Sequence, residues 1–307
     1  MTTVEQHTQD CSSSPTKSVH KQESHDLQFE RVKLQKRKPE HEHWSLADIP
    51  YDSIDKTRIA GDSYLFYMLA AASLVEINSD LYTRNLLQYF HDDSDVTNWL
   101  AQEWQYEEIQ HGAALRRYVN TVWPDFSWDR SFQRFSADYA QFCRPELLGP
   151  TQTLEFAARC VVETGTASLY TMLSRFSPEP VLTGLLSRIR SDEIRHYGHF
   201  YHFFLKYQVR ESHGYYAVAR ALWHRVREIE NEDAYYAFKH VYLERHPGQR
   251  SHEDAYRMFR KHYAALARQY YPYEMAARMI LKPLGLNPHM KRVTLPLLTA
   301  GAKRLYS

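Results

Sequence analysis

Apolar positions recur at helical spacing along most of the chain, and strand-type alternation is hard to find. The pattern predicts an all-α fold built on four long helices. The first runs from about Lys56 to Phe90 and carries Leu65, Leu69, Ala72, Glu76 and Thr83 along one stripe. The second follows the cap-rich turn His91 to Asp95 and reaches about Val122, with Leu100, Trp104, Glu108, His111 and Leu115 inward. The third spans about Thr151 to Phe176 on a stripe of Phe156, Cys160, Glu163, Thr166 or Ala167, and Tyr170. The fourth spans about Val181 to Tyr207 on Leu182, Leu186, Ile189, Glu193, His196, Phe200 and Phe203. A short helix from Asp129 to Phe142 fits between the second and third. Two further helical stretches, 211–245 and 253–281, follow, with Pro272 set to kink or split the second. From Pro283 on the pattern reads as irregular.

Acids and histidines occupy core positions on all four stripes. Glu107-Glu108-Ile109-Gln110-His111 is echoed by Asp192-Glu193-Ile194-Arg195-His196. Residues three apart on a helix share a face, so Glu108 with His111, and Glu193 with His196, can each bind one ion. A lone Glu precedes each pair, Glu76 and Glu163, so the order is Glu, Glu-x-x-His, Glu, Glu-x-x-His. A dinuclear metal site in a four-helix bundle requires that set. The near-equal intervals Glu76 to Glu163 and Glu108 to Glu193 suggest pseudo-two-fold symmetry. Four carboxylates and two imidazoles suit iron or manganese better than zinc or copper, so two iron ions are expected, with a Mn/Fe pair as the variant. A ligating histidine donates its other N–H to a carboxylate, and pseudo-symmetry assigns Glu107 to His196 and Asp192 to His111. His199, His202 and Cys160 lie nearby and read better as packed core side chains.

Composition narrows the setting. A net charge of +1 gives no global field for nucleic acid. Cys11, Cys143 and Cys160 are an odd set without metal-type spacing, which suggests reduced thiols. No apolar run is long enough for a membrane span and no signal-type start is present, so a soluble, cytoplasmic protein is expected. Residues 1–45 are polar and charged and read as a disordered tail. A third Glu-x-x-His, Glu40 to His43, lies there and is the match that chance supplies in a chain with 17 His. The expected division is therefore tail 1–45, bundle 46–210 and flanking C-terminal helices 211–307.

The motifs Glu107 to Gly112 and Asp192 to His196 resemble those of soluble acyl-carrier-protein desaturases of the ferritin-like superfamily. Trp104 and Thr166 also match positions of that family, and the resemblance covers about residues 45–210. It implies a ferritin-like, homodimeric helical enzyme with a non-haem di-iron centre. Such an enzyme takes electrons from a ferredoxin-type donor, activates O₂ and removes two hydrogens from an acyl chain held on acyl carrier protein. Carried over, Glu76, Glu108, His111, Glu163, Glu193 and His196 bind iron, Asp192 supports a ligand and lies on the electron path, and Thr166 assists proton delivery. Two departures stand out: a shorter Glu76–Glu108 interval than in plant desaturases, and Tyr197-Gly198-His199-Phe200 after the last ligand. Basic residues around 114–118 and 282–304 are candidates for a rim facing the acidic carrier.

Other functions compete. A di-iron oxygenase of this superfamily acting on an amine, aryl or carrier-bound amino-acid substrate is the main alternative. The arylamine N-oxygenases carry a further His four residues before the last ligand Glu, where this chain has Ile189. A ferroxidase is a second alternative, and its short bundles lack the long C-terminal part found here. A metal-free bundle would leave six polar core residues unexplained.

Overall fold

Acidic side chains, Asp62, Asp93 and Glu179, cap the starts of three helices, and every regular element among the described residues is helical. The computed structural model describes residues 43–229, 233–249 and 251–305. The expected tail, with Cys11 and Glu40, therefore lies outside the described residues, apart from its last three positions. The folded unit opens at Trp44, ahead of the expected boundary at 46.

Three 3-10 turns, Leu46–Asp48, Tyr51–Ser53 and Lys56–Arg58, lead into helix α1 (Ser63–Ile77). Asp62 caps it, its carboxylate accepting from the Leu65 N–H at 2.9 Å. The single helix expected over 56–90 is thus interrupted twice. Asn78 ends α1 and precedes α2 (Ser79–Tyr89). Its backbone sits at φ −88°, ψ 9°, and its side-chain oxygen accepts from Ser136 Oγ at 3.0 Å. Asn-Ser-Asp is cap chemistry inside an apolar period: such side chains offer the backbone partners other than a helical ladder.

Asp93 starts α3 (Ser94–Trp99), which passes through a π turn, Leu100–Trp104, into α4 (Gln105–Val122). α5 (Trp128–Tyr139) crosses over to α6 (Gln152–Phe176), and α7 (Pro180–Glu211) returns along it. Glu179 is fully buried at the head of α7. Its carboxylate accepts from the N–H of Val181 (3.1 Å) and Leu182 (2.7 Å) and from Tyr118 Oη (2.8 Å). Pro180 behind it is preset for the first helical position.

The C-terminal third is more helical and more divided than its sequence pattern. The stretch expected over 211–245 forms α8 (Tyr215–Ile229) and α9 (Asp233–Arg245). Pro272 separates α10 (Glu253–Tyr270) from α11 (Tyr273–Leu281) as expected. Beyond Pro283 the expected irregular segment is instead helix α12 (Pro288–Leu305), after a 3-10 turn at Lys282–Leu284. Asn287 supplies the cap, its Oδ1 accepting from the Met290 N–H at 2.9 Å, and Pro296 is carried inside the helix.

α6 packs along α7, α1 packs along α4, and α4 meets α7, which brings the two pairs into one four-helix bundle. α8, α10 and α11 cover α6, while α9 lies over α1 and α5. The apolar core falls into two clusters. One includes Leu65, Leu69, Leu115 and Ile189, and the other Phe90, Trp104, Phe156 and Phe200. No helix among the described residues is long and apolar enough to cross a membrane.

One buried ion pair anchors the start of α6. Glu155 accepts from Arg159 Nε at 2.6 Å and from the Gly149 N–H at 2.7 Å, and it is 3% exposed. Burial alone would raise its pKa, but the guanidinium groups of Arg159 and Arg225 outweigh that and hold the carboxyl below its usual range. A depressed folded pKa makes this stability present above the unfolded value of about 4.3 and lost as pH falls through the folded one. Glu155→Gln should therefore lower the urea midpoint at pH 7, the loss of unfolding free energy being about 3 kcal/mol as for a broken buried pair. The gap to wild type should narrow in acid, and a gap independent of pH would refute the assignment.

Candidate metal centre

Six side chains from four helices meet at the middle of the bundle, none more than 5% exposed. They are Glu76 of α1, Glu108 and His111 of α4, Glu163 of α6, and Glu193 and His196 of α7. Their donor atoms form two groups, each with all atoms within 4.8 Å of one another: Glu76, Glu108, His111 and Glu193, and Glu108, Glu163, Glu193 and His196. Glu108 and Glu193 belong to both groups. Each has two oxygens to offer, while the other four side chains each belong to one group.

The imidazoles are oriented for this work. His111 Nε2 donates to Asp192 Oδ2 at 3.0 Å, and His196 Nε2 donates to Glu107 Oε2 at 2.8 Å. A carboxylate acceptor fixes the proton on Nε2, so the neutral ring presents its Nδ1 lone pair to the centre. These are the pairings that pseudo-symmetry suggested. His111 Nδ1 lies 3.1 Å from Glu193 Oε1, and His196 Nδ1 lies 3.1 Å from Glu108 Oε1. All four of these atoms, with Glu163 Oε2, are buried without a well-directed hydrogen bond. Ligand atoms about 2.1 Å from one octahedral ion stand about 3 Å apart, so these separations fit coordination.

The charges point the same way. Burial and the neighbouring carboxylate Glu193 raise the pKa of Glu76 and Glu108. Burial pushes that of Glu163 up to about 8. Both histidines are disfavoured as cations by burial, yet the carboxylates facing them win: Asp192 and Glu193 at His111, and Glu107, Glu108 and Glu163 at His196. Their net shift is well upward. A cluster that binds protons this strongly is short of positive charge, and two divalent cations would balance its four carboxylates.

A second layer of side chains fixes the six. Arg195, 25% exposed, donates to Asp192 Oδ1 and Glu107 Oε2, both at 2.8 Å, and so joins the carboxylates that hold the two histidines. Burial opposes ionisation of Glu107, but His196 and Arg195 pull its pKa down to about 2, and His111 and Arg195 likewise hold Asp192 far below its usual range. Trp44 Nε1 donates to Asp192 Oδ2 at 2.7 Å, and the indole lies parallel to His111, with ring centroids 6.0 Å apart. Trp104 Nε1 donates to Glu163 Oε1 at 3.1 Å, and Thr166 Oγ1 reaches across from α6 to Glu193 Oε2 at 2.7 Å. Tyr170, fully buried, donates its hydroxyl to Glu76.

Three of these were not foreseen in those roles. Arg195 lies inside the second motif, three residues after Asp192, and that spacing was a readable signal. Tyr170 stands on the inner stripe of α6, but a stripe gives only direction. Trp44 fell within the expected tail and gave no signal beyond an aromatic in polar surroundings. His199 stacks on Trp99 with centroids 4.8 Å apart and belongs to neither donor group. Cys160 packs in the aromatic cluster with Phe156 and Phe200, its thiol kept neutral by burial and by Glu163.

Gly112 lets α1 and α4 approach at this point. A Cβ added there would stand 2.4 Å from the backbone nitrogen of Ile77, next to Glu76. Gly112→Ala should part the two helices, costing about 1–3 kcal/mol of stability by overpacking. It should also cut bound metal per chain by at least about half, since Glu76 moves away from His111. Metal analysis of the purified variant beside wild type tests this, and full occupancy would show that the close approach does not position the site.

A search of protein-family models and of curated proteins finds none that matches this chain.

Proposed function

We propose that the chain is a di-iron, O₂-dependent oxidoreductase acting on a fatty acyl chain carried by acyl carrier protein, with desaturation as its reaction. The observation that carries this reading is the pair of donor groups sharing Glu108 and Glu193, rich in carboxylate and completed by one nitrogen each. Hard anionic donors in that proportion favour iron, and so few protein ligands per ion leave positions for O₂. Bound there, the iron pair would supply O₂ activation with two electrons from a ferredoxin-type donor.

The chain's own residues would do the rest. Glu76 and His111 on one side, and Glu163 and His196 on the other, would hold the ions together with Glu108 and Glu193, which belong to both donor groups. Asp192 and Glu107 keep the two imidazoles in their ligating tautomer. Thr166, bonded to Glu193, holds that carboxylate and is placed to pass a proton through its hydroxyl. Trp44, Asp192 and His111 form a continuous hydrogen-bonded chain leading to the centre and suit the electron route. Apolar side chains of both core clusters, Leu115 and Ile189 from one and Trp104 and Phe200 from the other, neighbour the candidate ligands along the helices, and a hydrocarbon is the substrate such surroundings disfavour least. Ile189, fully buried one turn before Glu193, offers no nitrogen where an N-oxygenase would have one. The expected basic rim is partly used within the fold: Arg116 pairs with Asp129 at 2.9 Å, and Arg117 lies over the Tyr51 ring.

Iron analysis of protein expressed in iron-replete medium is the first test. Wild type should hold about two irons per chain. Glu108→Ala and Glu193→Ala should lose both, because each side chain belongs to both donor groups, whereas Glu76→Ala and Glu163→Ala should keep about one. Less than about half an iron in wild type, unchanged by these substitutions, would overturn the metal reading. With iron established, acyl carrier protein loaded with a saturated acyl chain, reduced ferredoxin and O₂ should yield an alkene. An intact acyl chain after O₂ uptake would overturn the substrate.

A further inference from the structure

Of the twelve large apolar side chains exposed among the described residues, seven stand on α8 and α12, outside the bundle that holds the centre. On α8, Tyr216, Arg220, Trp223 and Arg227 recur at spacings of four, three and four and form one exposed stripe. Tyr216 is 86% exposed and Trp223 63%. α8 touches the 3-10 turn Lys282–Leu284, and that turn leads into α12, which packs on α11. Met290, Val293 and Leu297 form a second exposed stripe on α12, while Leu295, Thr299 and Ala302 take the more covered side. Lys291, Arg292, Lys303 and Arg304 stand exposed towards the two ends of the helix, Lys303 with its ammonium over the Tyr273 ring, and residues 288–305 contain no acid.

We propose that the outer faces of α8 and α12 dock the protein on an anionic lipid surface. A helix with an apolar face bordered by Lys and Arg, too polar to span, lies in the membrane interface. Aromatic rings with arginines beside them suit the headgroup level. The alternatives fit less well. Four cations and no acid on α12 would repel the same helix of a second copy. An acidic protein would answer the charge, but Met, Val and Leu on a convex helix are poor protein anchors compared with aromatics seated in a pocket. This inference stands apart from the metal reading, because none of its residues touches the centre.

Vesicle sedimentation with the full chain tests it, comparing phosphatidylcholine alone with phosphatidylcholine containing about one-quarter phosphatidylglycerol. The protein should sediment with the anionic vesicles only, and less so as salt rises. Each basic residue near such a surface is worth roughly fivefold in partitioning. The variant Lys291→Glu, Arg292→Glu, Lys303→Glu, Arg304→Glu should therefore bind more than about a hundredfold more weakly. Trp223→Ser with Leu297→Ser should weaken binding by about tenfold or more through lost apolar insertion. All six positions are exposed, and unchanged circular dichroism would confirm that the variants fold. Four outcomes would overturn the proposal: no sedimentation with anionic vesicles, equal sedimentation with neutral ones, binding indifferent to the charge reversals, or binding of soluble polyglutamate without binding of vesicles. A wild-type dimer that Trp223→Ser with Leu297→Ser turns into a monomer, without vesicle binding, would assign the face to a second copy instead.

Discussion

Four carboxylates in a volume that excludes water repel one another, and much of the bundle is arranged around that repulsion. Two unit charges about 4 Å apart interact by about 4 kcal/mol at the effective dielectric of a protein site. Several such pairs would be comparable to the whole stability of an ordinary domain. Protons or cations must therefore enter, and the upward shifts of Glu76, Glu108, Glu163 and both histidines express that demand. Glu107 and Asp192 escape it because His196 and His111 bind them directly and Arg195 stands between them. Tyr170, Trp104 and Thr166 each donate one hydrogen bond to a carboxylate of the cluster, which holds its oxygens in place without adding charge.

The six residues of the candidate metal centre were legible in the sequence because helical period converts spacing into direction. An acid on an apolar stripe must face the core, and four acids with two histidines on four stripes can meet only at the bundle axis. Second-layer carboxylates were legible for the same reason, since Glu107 and Asp192 occupy matched positions in the two motifs. What the period cannot carry is contact between segments distant in sequence. Trp44 reaches Asp192 across most of the bundle sequence, and nothing near Trp44 encodes that partner. Breaks were misread where local chemistry and period disagreed. Asn78 interrupts an apolar run that continues on both sides, and the prolines of residues 283–296 hid a helix capped by Asn287.

The helices outside the bundle divide the labour with it. α8, α10 and α11 contribute no donor to either metal group, yet they cover α6, the helix that bears Glu163, Thr166 and Tyr170. Removing water from that side deepens the low dielectric in which the charges act. α8, with α12 beyond it, carries most of the large apolar side chains that the fold leaves exposed among the described residues.

The π turn at Leu100–Trp104 has a geometrical consequence. Before it, Asp93 is tied to α7 through Tyr207 at 2.9 Å and Lys206 at 2.8 Å. After it, Glu107 and Glu108 meet His196 of the same α7. Two contacts with one partner helix must share a phase, and an α-helix advances by about 100° per residue. The turn takes up the mismatch between them. Deleting one residue there would leave an unbroken α-helix able to satisfy either the anchor at Asp93 or the contacts of Glu107 and Glu108 with His196, but not both.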